Sequence, residues 1–399
     1  MVSNKDGELK MRKYLNYYVR NFDYPLFFTY LFLCLFGLVM IYSSSIMVSI
    51  VNEDGTPTYF YRKQLLNLCI AAFAFIVGAF IPYKHFSNKR IMQILTLMVF
   101  VLLAWVKIDG IDAGGAKSWI NPFGLMNFQP SEFAKLFIIL YFAGAFYRKS
   151  LNNPMENLEP NNIVYPIIVW LIIIMFVGTE TDLGAVLILS GIAVAVVAAS
   201  GIQFKKFIKF FTVIIGFGSA LIGLIILVKG NEILTENRMG RIKSFLNPFE
   251  YESGSSYQVI NGYIAIGSGG LEGVGLGQSV QKLGYLPEPQ TDFIMAIIAE
   301  ELGILGVIIV LGGLGFIIFR ALTIALKTKD PLARMIAAGI GSWIAVQSFV
   351  NLGGLSGLIP LTGVTLPFIS YGGTSILLLS FAMGILVNVS MYVKLEKKL

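Results

Sequence analysis

The sequence predicts an all-α integral membrane protein: a ten-transmembrane-helix bundle, both termini cytoplasmic, with one large extracellular loop between helices 7 and 8. Three observations carry that prediction. Hydrophobic residues make up 56% of the 399 residues and charged residues only 13%, about half the charged share of a soluble domain. Ten apolar stretches reach or approach the ~20 residues that a helix needs to cross a bilayer. The basic residues between those stretches alternate in density from one connection to the next.

The stretches lie near residues 24–46, 64–83, 91–106, 132–147, 163–178, 183–201, 207–228, 293–319, 335–354 and 364–393. The third, fourth and fifth are short and leave little room for tilt. Connections rich in Lys and Arg include Lys5 to Arg20, Lys84 to Arg90, Arg148–Lys149, Lys205 to Lys209, Arg320 to Arg334 and Lys394 to Lys398. Together they hold 20 of the 30 basic residues, all on one side of the predicted topology. The positive-inside rule makes that side cytoplasmic. An even number of spans then places both termini there. The whole chain, 1–399, reads as one polytopic domain with a cytoplasmic tail at 1–23 and the large extracellular loop at 229–291.

Several function classes drop out at this stage. Residues 1–23 carry mixed charge without the apolar core of a signal peptide. Cys34 and Cys69 sit in apolar runs and indicate neither a disulfide nor a metal site. His85 is the single histidine, which argues against zinc or haem ligation by histidine. The net charge of +7 follows membrane topology, so nucleic acid is not implied as a partner.

Acids near hydrocarbon cost several kcal/mol unless they are paired or face water. Residues 286–303 carry four acids, three of them, Asp292, Glu300 and Glu301, at or inside an apolar helix. Asp292 sits at the mouth of an apolar helix, whereas Glu300 lies about 12 Å deeper along it at 1.5 Å per residue. At least one of Glu300 and Glu301 is therefore expected to pair inside the bundle or line a polar groove.

The basic residues that break the orientation pattern also cluster, among them Lys117, Lys135, Arg241 and Lys282. An anionic lipid phosphate would explain them; interfacial snorkelling is the alternative. In the segment 114–135, glycines allow close backbone approach to a ligand. Trp119 can stack on a sugar or anchor at the interface. Ser131 is a candidate helix N-cap, and Glu132 and Lys135 fall three residues apart on one helix face. Lys135 lies nearly a turn into the membrane and needs a carboxylate from Glu132, Asp182 or Asp292. Glu180 and Asp182 fit turn solvation or capping as well as a site. The glycine run 267–277 fits a compact flexible loop and no nucleotide motif. Finally, the Gly- and Pro-rich stretch 351–374 cannot continue a helix and is expected to fold back into the bundle.

Three pieces then stand out in order and spacing: residues 128–132 (FQPSE), 287–293 (PEPQTDF) and 360–374 (PLTGVTLPFISYGGT). They resemble the SEDS family of cell-shape, division and sporulation proteins, and the likeness extends over nearly the whole chain. Lys117-Ser118-Trp119 and the N-terminal extension are most similar to the division branch of Gram-positive bacteria. Glu180-Thr181-Asp182 departs from the Gln-Pro-Asp that relatives tend to carry.

The resemblance implies a peptidoglycan glycosyltransferase that polymerises lipid II, the disaccharide-pentapeptide on undecaprenyl pyrophosphate. It also implies a class B penicillin-binding protein transpeptidase and other divisome membrane proteins as partners, and a place in the bacterial cytoplasmic membrane at the septum. Asp292 becomes the expected general base. Lys117, Trp119, Glu132, Lys135, Arg241, Lys282, Glu288, Ser370 and Tyr371 become the expected substrate-binding residues. No cofactor is established by the sequence; a tight protein-only metal cage is not expected, and a loose magnesium or manganese ion on the pyrophosphate is compatible with the chemistry. A lipid II flippase, an elongation polymerase and a scaffold that only recruits a transpeptidase are the rival readings.

Overall fold

The computed structural model describes residues 20–52, 55–113, 116–121, 124, 127–151, 161–180, 182–203, 205–206, 208, 211–212, 216, 240, 244–250 and 255–396. Its helices are α1 (Tyr24–Asn52), α2 (Tyr59–Phe80), α3 (Lys89–Asp109), α4 (Pro130–Ser150), α5 (Asn161–Thr179), α6 (Leu183–Ala199), α7 (Ser255–Gly269), α8 (Ile294–Lys327), α9 (Pro331–Leu355) and α10 (Gly373–Glu396). Six of them, α1, α2, α3, α8, α9 and α10, are long and apolar enough to cross a membrane, and α5 and α6 are shorter apolar helices. Most of the predicted seventh stretch, 207–228, lies outside the described residues, as do most of residues 1–23.

The interior is built around α4, α9 and α10. Helix α4 is buried along most of its length, from Pro130 to Phe146. It carries Glu132 and Lys135 at one end and Arg148 and Lys149 at the other. Its polar content suits a helix surrounded by protein rather than by lipid. Helix α10 packs closely on α2, because Gly78 and Gly384 leave no side chain between the two backbones. A Cβ at Gly384 would stand 2.2 Å from the Phe75 carbonyl. Small residues serve this purpose in membrane helix pairs. Bulky apolar side chains such as Phe28, Leu35, Phe73 and Leu97 point outward from α1, α2 and α3, as they would toward lipid.

Basic connections gather at one end of the bundle. Arg148 donates to the Ser87 carbonyl at 2.8 Å, Tyr83 to Asp330 at 2.6 Å, and Lys394 to the Phe22 carbonyl at 3.1 Å. Arg320 pairs with buried Asp23 at 3.0 Å. The acidic and glycine-rich segments meet at the opposite end.

Three expectations need correction. The fold is not purely helical, since Ile111–Ala113 (β1) and Ala116–Trp119 (β2) form an antiparallel hairpin in the connection from α3 to α4. The last helix starts at Gly373 and not near 364. Pro367 lacks a backbone donor, and Phe368 takes a left-handed φ of 66° that stops regular helix. The helix at 293–319 is longer, Ile294–Lys327, and is broken at Gly303, where φ is 61° and ψ is −151°. That backbone region is open essentially only to glycine.

The break is sealed by the glycine run before it. With the helix interrupted, the Glu300 and Glu301 carbonyls turn outward and accept the Val274 and Gly275 amides at 2.9 and 3.0 Å, while Ile304 N–H donates to the Leu271 carbonyl. The approach is so close that a Cβ at Gly273 would meet the Glu301 carbonyl at 2.4 Å. The run expected as a flexible loop is thus a fitted plug over a broken helix.

Candidate functional site

Asp292 lies half-buried in the turn that leads into α8. Three consecutive carbonyls hold that turn. The Gln290 carbonyl accepts the Tyr371 amide at 2.9 Å, the Thr291 carbonyl accepts the Ser370 hydroxyl at 2.6 Å, and the Asp292 carbonyl accepts the Asn351 side-chain amide at 3.0 Å. Asn351 donates also to the Val364 carbonyl at 2.7 Å. Gly363 passes so near that a Cβ there would stand 3.3 Å from Asp292 Oδ2. The stretch 351–374 does fold back into the bundle, and it clamps the Asp292 turn.

A second network lies one helical turn along α9. Lys135, 1% exposed, pairs with Glu132 at 2.6 Å and donates to Gln347 Oε1 at 3.3 Å. Trp343 Nε1 donates to the same oxygen at 2.7 Å, and Gln347 Nε2 donates to the Thr365 carbonyl at 3.0 Å. Gln347 and Asn351 are four residues apart, so one face of α9 serves both the buried cation and the Asp292 turn. Of the three acids proposed for Lys135, Glu132 is the partner.

The connections α5–α6 and β2–α4 close the rim. Asp182 caps α6 by accepting the Ala185 amide at 2.8 Å, and it accepts Gln129 Nε2 at 3.2 Å. Thr374 accepts the Gln129 amide at 3.2 Å. Glu180 is 2% exposed, and neither of its oxygens has a partner among the described residues. Burial pushes its carboxyl up to about 8; Lys107 pulls it down and Asp182 adds to the rise. Ser131 does not cap α4: Gln129 occupies the cap position and the Ser131 hydroxyl has no partner among the described residues.

Other buried acceptors at this end have no partner among the described residues: Glu132 Oε2, Gln290 Oε1 and Asn351 Oδ1. Buried polar atoms in a finished core are nearly always bonded. This acceptor-rich end is suited to a ligand that brings hydroxyl and amide hydrogens. An apolar groove of about 460 Å³ beside Phe80, Pro82 and His85 lies at the other end of α2 and offers no such chemistry.

The remaining candidates scatter. Lys117 is exposed on β2, and Trp119 is half-buried there. Glu288 is exposed and accepts the Thr291 hydroxyl at 2.8 Å within its own turn. Tyr371 packs edge-on against Phe60, with ring centroids 5.0 Å apart. Lys282 is buried, and its ammonium meets Glu301 at 2.6 Å rather than an open surface. Arg241 lies outside the described residues. Among the described residues no group of three or more His, Cys, Asp or Glu is placed to hold a metal ion. The residues that sequence reasoning missed are Gln347 and Thr365. A glutamine one turn before an asparagine in an apolar helix was the signal for the first.

The sequence profile of the cell cycle protein family matches residues 24–395. The chain belongs to the FtsW, RodA and SpoVE family. Its relatives include the probable peptidoglycan glycosyltransferase FtsW of Bacillus subtilis, 43% identical over 94% of this chain and 92% of that one. In fold it is similar to a chain of a peptidoglycan synthase complex solved for its coordination of polymerization and crosslinking, with a TM-score of 0.70 at 22% identity over 93% of this chain and 98% of that one. RodA of Thermus thermophilus matches with a TM-score of 0.63 at 23% identity over 92% of this chain and 96% of that one. The family membership accounts for the multi-pass helical architecture, and the SEDS resemblance drawn from residues 128–132, 287–293 and 360–374 is correct.

Proposed function

We propose that the chain is a peptidoglycan glycosyltransferase that polymerises lipid II at the outer face of the cytoplasmic membrane during division, with Asp292 as general base. Family membership and a 43% identical FtsW support the activity and favour the division branch. The observation that carries the site is the clamp of three consecutive carbonyls, 290 to 292, which holds the Asp292 turn against the 351–374 segment.

The chemistry is a single displacement. A sugar hydroxyl of one glycan attacks the anomeric carbon of another, a C–O bond forms, and the bond to lipid pyrophosphate breaks with its electron pair on the leaving oxygen. The hydroxyl proton passes to the Asp292 carboxylate, because a sugar hydroxyl is a weak nucleophile at neutral pH. One displacement inverts the anomeric centre. Fixed cations offset the charge that develops on the pyrophosphate, and Lys117, Lys135 and Arg241 are proposed to hold the pyrophosphate or to hold Asp292 in place. Trp119, Glu132, Glu288, Ser370 and Tyr371 complete the substrate site in this reading, and Glu132 Oε2 and Gln290 Oε1 offer acceptors to a hydroxyl-rich ligand. Ten spans, both termini inside and the long seventh connection outside complete the topology. A class B penicillin-binding protein is the proposed partner, by analogy with the synthase complex of similar fold.

Purified protein in detergent tests the reading. Glycan strands formed from lipid II, where no membrane sides exist, separate a polymerase from a flippase; absence of strands with and without the transpeptidase contradicts it.

A further inference from the structure

The plug over the broken helix is bolted by a buried ionic network. Glu300 and Glu301 are adjacent, so they leave α8 about 100° apart, and they share only Ser279, whose amide donates to Glu301 at 3.4 Å. Glu300 accepts the Ser279 hydroxyl at 2.5 Å and the Val280 amide at 3.0 Å. Glu301 pairs with Lys282 at 2.6 Å and accepts the Ser43 hydroxyl of α1 at 2.8 Å. Lys282 also donates to Ser43 at 3.0 Å. Ser43, Ser279, Lys282, Glu300 and Glu301 are all at most 5% exposed.

We propose that Lys282 and Glu301 are positioning residues, which tie together the two ends of the arc 283–300 that carries Asp292. The proposal rests on the reading of Asp292 as the reacting carboxylate. Asp292 sits between two tethers. The carbonyl clamp fixes residues 290–292 to the 351–374 segment, and the ion pair fixes the start of the arc to the helix that follows it. A buried ion pair is rarely a better stabiliser than two apolar side chains of the same size. What it adds is direction: Lys282 has one carboxylate to meet, and meeting it sets where the chain at 282 sits relative to α8 and α1. On this account the buried Lys282 does not touch pyrophosphate.

Three variants separate the roles: Lys282→Met, Glu301→Gln, and both together. Each single change leaves one charge buried without its counter-charge, whereas the double change restores neutrality and keeps an acceptor for Ser43. Polymerisation of lipid II by purified protein and hydrogen exchange of the amides 284–293 are measured on all three. For Lys282→Met we expect kcat to fall about tenfold or more with KM changed by less than about twofold, and exchange at 284–293 to rise about tenfold. The double variant removes the stranded charge but also the tether, so kcat and exchange should stay near the Lys282→Met values with KM within about twofold of the parent, and full recovery of both would overturn the proposal. Ser43→Ala, a milder lesion, should move both readouts in the same direction as Lys282→Met. A double variant as inactive as Lys282→Met with a raised KM overturns the proposal in favour of substrate contact. Unchanged exchange in the single variants overturns it as well. Exchange does not depend on chemistry, so it reports on the tether even if Asp292 proves not to be the base.

Discussion

Asn351 donates its side-chain amide to the main-chain carbonyl of Asp292 at 3.0 Å. The same amide reaches the Val364 carbonyl at 2.7 Å, so one side chain on α9 pins the turn before α8 to the segment that runs beneath it. The carboxylate is aimed by fixing the backbone that bears it.

Asn351→Ala should therefore lower kcat about tenfold, the equivalent of about 1.4 kcal/mol in the barrier. KM for lipid II should stay within about twofold. Steady-state polymerisation kinetics check this, and a raised KM at unchanged kcat would argue for a substrate contact instead.

The Lys135–Glu132 pair gives a stability prediction. Lys135→Met strands a buried carboxylate and should destabilise the protein by about 3–5 kcal/mol, as should Glu132→Leu, which strands the ammonium. Replacing both with apolar residues should recover most of that loss. Thermal unfolding in detergent reads the difference. Two single effects that simply add in the double variant would show that the pair is not coupled.

Gly303 cannot accept a side chain cheaply. Its Cβ would stand 2.5 Å from the Leu271 carbonyl, and its backbone angles alone penalise any L-residue by about 1–3 kcal/mol. Gly303→Ala should lower the unfolding temperature and open the 271–275 plug to protease. A variant with parental stability and parental proteolysis would contradict the close docking described above.

Glu180 predicts a pH dependence. In the folded protein its carboxyl titrates at about 8 against an ordinary 4.5, because burial disfavours the charge. Between those values the folded state holds a proton that the unfolded chain has released. Stability from this group is fully present below about 4.5 and is lost as pH rises through about 8. Glu180→Gln should flatten that decline in unfolding temperature across the same range. A slope equal to that of the parent would exclude Glu180 as its source.

Much of this was legible in the sequence because membranes constrain composition so strongly. Lengths and polarity located nine of the ten predicted stretches as helices of the described structure, and the cost of a buried cation required a carboxylate for Lys135, which the structure supplies from Glu132 among the three candidates. The same physics requires at least one of Glu300 and Glu301 to pair inside the bundle, and Glu301 does so with Lys282 while Glu300 accepts hydrogen bonds. What escaped was whatever depends on one backbone angle or one long-range contact. The break at Gly303 looks like any glycine in an apolar run, since φ is not written in composition. The glycine run 267–277 reads as flexible until the carbonyls it seals are known. Gln347 bridges Lys135 to Thr365 across elements far apart in sequence, and Lys282 turns inward to Glu301, a partner that only the fold brings to it. The hairpin at 111–119 was hidden by its shortness.

The central claim is that Asp292 takes the proton from the attacking hydroxyl. Its most direct test is the rate at which purified Asp292→Asn protein polymerises lipid II, since asparagine keeps the shape and removes the base. The account predicts a rate lower by about 10²-fold or more, with hydrogen exchange over 284–293 unchanged. Strand synthesis within about threefold of the parent would contradict it.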